Sequence, residues 1–272
     1  MSRLFAFLSL LSLPLATVCA GAPANPKDFS VVAVMGPWTE RYDLPGAFAA
    51  AGISKVVYHQ VEVTKPNGSD DPLNEAKLQT PLDFAVLDKA KLLVVANVPA
   101  TAFSQKELEG VAAWTEKGGC VVFLGGLYTF GKGGFAGTPF ERIIPVAGMS
   151  PWEVEELSGT NPFVSTGFGA ALLAGSADTV PTTLFAHELY LKPKATALVT
   201  CDDQTMVAGW DVGAGKVLAY LAAPIGDGDF TENSGGFWRW ISFGDSRERI
   251  LFWQWRYWPD FLGAMLLWGV KA

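Results

Sequence analysis

Histidine is nearly absent from this chain: His59 and His187 are the only two in 272 residues, beside three cysteines. That scarcity narrows the chemistry at once. No His/Cys/carboxylate spacing supports zinc, no cofactor motif is present, and a histidine base has only two candidates. Positive charge is also thin. The formal net charge is −7, and no Lys/Arg block interrupts the acidic balance. Binding to nucleic acid through its phosphates is therefore excluded as the leading function. Long apolar runs are missing after residue 20, so no transmembrane segment is expected in the mature chain.

What is present begins with the amino terminus. Arg3, the apolar stretch Leu4 to Leu15 and the small-residue pattern Val18-Cys19-Ala20 read as a secretory signal peptide over residues 1–20. The expected location is the periplasm or the extracellular space. Acylation of Cys19 as a lipoprotein is the alternative. Residues 21–28 form a Pro- and Ala-rich leader, and 29–272 read as one domain with elaborations. Removing Arg3 with the signal makes the charge one unit more negative. It also leaves Cys120 and Cys201 as the only cysteines, either a pair or two buried thiols.

Half of the residues are hydrophobic, and their pattern changes along the chain. Phe29 to Met35 is a buried strand ending at Gly36-Pro37. Asp43 to Gly52 is a helix with Leu44, Phe48 and Ala51 on one face, and Lys55 to Val63 is a second strand. Leu82 to Leu87 is a short helix or turn, and Lys91 to Ala96 a third strand. Ser104 with Glu107 makes a capping box before Leu108, Val111, Ala112 and Trp114. Gly118-Gly119 ends that helix, and Cys120 to Leu124 is the next strand. Alternation of this kind predicts parallel βαβ units covered on both faces. The second half is less regular and richer in strands. Val207 to Asp211 and Lys216 to Tyr220 read as a hairpin. Strand-like runs also fall at 161–168, 184–191 and 195–201, and Phe261 to Val270 is a terminal helix.

Residues 92–126, followed by the string TFGKGGFAGTPFERIIPV, resemble uncharacterised proteins of the class I glutamine amidotransferase-like superfamily. The Gly125-Gly126 to Pro139 string is the most specific part, and the hairpin with the Trp-rich ending resembles that group's carboxyl end. The resemblance implies an α/β, flavodoxin-like, doubly wound, mainly parallel sheet with a β-rich C-terminal elaboration. It also implies a Gly-x-Cys-x-Gly nucleophile elbow. Here that position reads Gly125-Gly126-Leu127-Tyr128-Thr129, and leucine is no nucleophile. Cys120 starts its strand, at the wrong end for a ligand. His187-Glu188 are adjacent, so on a strand they point to opposite faces. The expected reading is a catalytically degenerate protein with no catalytic residue of the amidase type.

Binding then becomes the leading expectation. The strand ends place Trp38, Glu40, Asn97, Gly126 and Tyr128 as candidates for a small polar molecule or a carbohydrate. Trp38 and Tyr128 would stack, Asn97 would hydrogen-bond, and Glu40 would contact a polar group. An enzyme of hydrolase or lyase type, using carboxylates such as Glu40 or Asp43 on a carbohydrate, is the alternative. Five of the ten tryptophans lie between residues 238 and 258. Of these, Trp238, Trp240, Trp253 and Trp255, with Arg256, are candidates for a protein-partner surface in an envelope assembly. Packing beneath the terminal helix is the structural reading of the same rings. The glycine loop 131–134 is read as tight turns rather than a phosphate cradle, and Asp227, Asp229 and Glu232 as a solvated loop rather than a Ca²⁺ site.

Overall fold

β-Branched and aliphatic residues with no polar interruption drive Ser30–Met35 into a strand buried on both faces. The same logic builds the sheet around it. The computed structural model describes residues 30–63, 76–151, 153–157, 162–165, 167–174, 181–225 and 250–270. Along the chain run β1 (Ser30–Met35), α1 (Leu44–Ala50), β2 (Lys55–Val63), β3 (Ala76–Leu78), α2 (Phe84–Leu87), β4 (Ala90–Ala96), α3 (Gln105–Glu116) and β5 (Cys120–Leu124). They continue with α4 (Pro139–Ile143), β6 (Val146–Ala147), β7 (Val154–Glu156), β8 (Val164–Ser165), α5 (Ala170–Ala174), β9 (Phe185–His187) and β10 (Tyr190–Leu191). The last are β11 (Thr196–Cys201), β12 (Gln204–Val212), β13 (Gly215–Tyr220), β14 (Ala222–Ala223) and α6 (Trp258–Val270).

Among the described residues, nine strands form the central sheet in the order β3-β2-β1-β4-β5-β13-β12-β11-β8. The five from β2 to β13 are parallel, and the outer strands pair antiparallel. The fold is thus mixed α/β about one large sheet. Its β-rich second half extends the sheet edge through the β12–β13 hairpin, which the alternation and the Val-Gly-Ala-Gly turn predict. That the hairpin would dock β13 beside β5 is not readable locally, since the contact joins residues 96 apart, as in Lys216 with Cys120.

One face of the sheet packs on α1 and α6 through Leu44, Phe48, Phe261, Met265 and Leu266. The opposite face packs on α2, α3 and α4 through Leu87, Leu108, Val111, Phe140 and Ile143. The capping box of α3 forms as expected: Ser104 Oγ accepts from the Glu107 N–H, and Glu107 accepts from the Ser104 N–H. α6 approaches closely because it carries glycine where a methyl would collide. A Cβ on Gly269 would stand 2.3 Å from the Cys120 sulfur. Among the described residues, no helix is long and apolar enough to cross a membrane.

The two cysteines do not pair. Cys120 lies level with Lys216 at the amino end of the parallel strands, whereas Cys201 faces Gln204, beyond the carboxyl end of β13. The register separates them by roughly 20 Å along the strands, far outside disulfide range. Burial pushes the Cys120 thiol up to about 12, with Lys216 opposing only weakly, so it stays protonated and inert.

Candidate functional site

The carboxyl ends of β1, β4 and β5 converge, and their order reverses between β1 and β4. Open α/β sheets bind ligands at that reversal. Here one side chain fills it. Asn97, fully buried and held in the left-handed region at φ 48°, donates from Nδ2 to the Pro37 carbonyl at 2.7 Å. Its Oδ1 accepts from the Tyr128 N–H at 2.8 Å. A short polar side chain is what tolerates that backbone and completes those bonds. Its neighbours are glycine of necessity. A Cβ at Gly36 would lie 1.9 Å from the Asn97 carbonyl oxygen, and one at Gly126 (φ 145°) would lie 2.4 Å from Asn97 Oδ1.

This corrects two expectations. Asn97 is a plug that ties three strand ends together, and Gly126 is glycine because of that plug. Neither is arranged as a ligand contact.

Outside the plug, Trp38 stands 44% exposed and stacks on Tyr128, with centroids 5.9 Å apart and planes inclined by 30°. Its backbone is left-handed (φ 57°, ψ 24°), an outlier for a bulky residue. Glu40, next along the same 3-10 turn, is exposed. Trp38, Asn97 and Phe130 (φ 56°) each follow a different parallel strand in this conformation. Of the three, Trp38 and Phe130 are the strained positions, since asparagine tolerates this region. Beneath them, the Tyr42 hydroxyl donates to the Gly125 carbonyl at 2.6 Å. Burial holds that phenol well above its ordinary range.

The β5 end is different in kind. A second sheet, β14-β9-β7, closes over it. Leu127 packs there with Leu184, Phe185, Ala223, Ile225 and Leu251 in a satellite core. The position where an elbow nucleophile would be exposed is thus a 4%-exposed packing position.

His187 is buried beside it, not exposed. The Gly126 N–H donates to its Nε2 at 3.1 Å, so Nε2 is unprotonated and the hydrogen sits on Nδ1, 3.0 Å from Glu153 Oε1. Glu153 in turn accepts from the N–H groups of Gly131 (2.6 Å) and Ser150 (2.9 Å). Glu188, the sequence neighbour of His187, lies just past the end of β9 and is exposed. Sequence reasoning missed Glu153, since nothing local signals a partner 34 residues upstream. The dyad's hydrogen bonds end on backbone, and it braces the elbow to the glycine loop.

The other candidates resolve similarly. In that loop the Gly131, Gly133 and Gly134 N–H groups all donate within the protein, so they form turns rather than a phosphate nest. His59 is buried, its Nδ1 3.1 Å from the Thr80 carbonyl. Trp255 is 2% exposed and packs on Phe261, which corrects its assignment to a partner surface: α6 covers it. Trp253 is half-buried beneath the Arg41 guanidinium, which also donates to the Pro224 carbonyl. Arg256 is exposed and lies over its neighbour Tyr257. Trp238, Trp240, Asp227, Asp229 and Glu232 lie outside the described residues, as do residues 1–28. No cluster of three or more metal-ligating side chains occurs among the described residues.

No family model and no curated protein sequence matches the chain. Its fold is similar to that of the cytoplasmic protein STM3548 from Salmonella typhimurium, with TM-score 0.60 and 11% identity over 90% of this chain and 100% of that one. It is also similar to the cytoplasmic protein STM1381 from Salmonella typhimurium LT2, with TM-score 0.61 and 14% identity over 89% and 100%. At such identities the likeness is one of fold alone.

Proposed function

We propose that this chain is an exported, catalytically degenerate, glutamine amidotransferase-like protein that binds a small polar ligand at the strand ends. One observation carries the reading. The elbow position is occupied by buried Leu127, and the adjacent His187–Glu153 pair is committed to backbone groups. An acyl-transfer site needs an exposed nucleophile within reach of a free base, and this arrangement has neither. The flavodoxin-like part of the reading is supported by the parallel strands. Counted in chain order, their arrangement β2-β1-β4-β5-β13 is 2-1-3-4-5, the order of that fold. Binding is supported by the exposed, strained Trp38 over the topological reversal. The carboxylate-enzyme alternative is less well supported. Glu40 and Asp43 are both exposed, whereas acid–base work calls for two environments that separate the two groups.

The test is a thermal-shift screen of the purified protein against sugars, sugar acids, amino acids and nucleotides, with an assay for ammonia release from glutamine alongside. A ligand at a hundred times its Kd stabilises by about 2.7 kcal/mol. The expected result is a hit lost in Trp38→Ala, with no glutaminase activity. Ammonia release that depends on His187 would overturn the reading.

A further inference from the structure

We propose that the Trp38–Tyr128 pair is a platform for the apolar face of a neutral pyranose, an inference that rests on the strand-end binding reading and names its ligand class. The rings themselves limit the choices. A flat ligand sandwiched between two rings needs about 3.5 Å on each side, so roughly 7 Å in all. The two centroids are 5.9 Å apart at a 30° inclination, too close for an inserted ring. A ligand therefore lies against the outer face of the Trp38 indole. That face is held ready before any ligand arrives. Asn97 fixes the carbonyl of Pro37, the residue before Trp38, and the N–H of Tyr128 with one buried side chain. Trp38 keeps a left-handed backbone while remaining 44% exposed, so the fold bears strain without burying the ring in return.

Charge decides among ligands that stack. The chain carries a net −7, and of the charged groups following Trp38 the Glu40 and Asp43 carboxylates are exposed, whereas the Arg41 guanidinium lies over Trp253 and donates to the Pro224 carbonyl. Phosphate or carboxylate ligands would be repelled there. Hydroxyl groups would instead donate to carboxylate oxygens, which are acceptors only. A pyranose supplies both parts: axial C–H bonds with positive edges for the negative indole face, and a rim of O–H donors.

Saturation-transfer NMR on the full chain tests this with methyl β-D-glucopyranoside, cellobiose, adenosine and L-glutamine as probes. The expected result is transfer to ring C–H protons of the glycosides in the wild type. It should fall about tenfold in Trp38→Ala and be largely retained in Trp38→Phe, with unfolding midpoints confirming that both variants fold. Transfer only to adenosine or glutamine, lost in Trp38→Ala, overturns the sugar assignment and leaves the strand-end binding reading standing. Glycoside transfer that persists in Trp38→Ala, or no transfer to any probe, overturns the platform.

Discussion

The carboxyl ends of β1 and β5 lie at the same end of one sheet, yet they are finished in opposite ways. At β5 the chain turns through Gly125-Gly126, buries Leu127 in a satellite core, and ties the turn to His187 and Glu153. At β1 the chain turns through Gly36-Pro37 and leaves Trp38 in solvent on a strained backbone. The two share Asn97, which bonds to both turns. The turn after β5 is thus sealed as ordinary core while the neighbouring turn after β1 stays open. Burial of the turn at one strand end does not close the other.

The contrast has an order of expected effects. Leu127→Ala removes buried methyl groups from the satellite core and should cost about 3 kcal/mol in denaturant unfolding. A change below about 1 kcal/mol would mean that the β5 end is not sealed. Asn97→Ala strands the Pro37 carbonyl and the Tyr128 N–H and places alanine at φ 48°. Together these should cost about 2–3 kcal/mol and weaken any ligand that depends on Trp38, because both turns lose their anchor. Trp38→Ala, by contrast, loses its stack on Tyr128 and only part of a side chain's packing, and should cost about 1 kcal/mol. A larger loss would make Trp38 a packing residue and erase the distinction between the two ends.

The smallest effect concerns the scaffold that both ends share. Burial alone would raise the Glu107 carboxyl, but hydrogen bonds from Ser104 and the Leu82 N–H, with the charge of His59, hold it below its ordinary value of 4.5. Its folded pKa is depressed, so its contribution is complete above that ordinary value and is lost as pH falls through the folded one. Acid titration of unfolding free energy should therefore be flatter at its low-pH end in Glu107→Gln than in the wild type. Parallel curves would assign the acid sensitivity elsewhere.

Legibility follows the range of the interactions. The Ser104–Glu107 cap, the apolar run of β5 and the β12–β13 hairpin are set by neighbours in sequence, and each forms where the pattern places it. Gly-Pro and Gly-Gly stop β1 and β5, which puts Trp38, Glu40 and Tyr128 at the carboxyl end of the sheet. The roles of Asn97 and Glu153 were not legible. Asn97 acts on residues 60 and 31 positions away, and Glu153 acts on a histidine in a strand of the second sheet. The tryptophans near the carboxyl end were ambiguous for a different reason. Composition does not say which face of a turn α6 will cover: it covers Trp255 and buries Trp258, its own first residue.

The sealed elbow can be observed at a single hydrogen bond. In ¹⁵N-labelled protein, His187 Nε2 should show the shift of an unprotonated imidazole nitrogen and a through-hydrogen-bond coupling to the Gly126 amide nitrogen, with the ring proton on Nδ1 toward Glu153. A protonated Nε2 exchanging with water, or a Gly126 amide without that coupling, would mean that the histidine is free to act at the elbow. The β5 end would then be a working site, contradicting its assignment as sealed core.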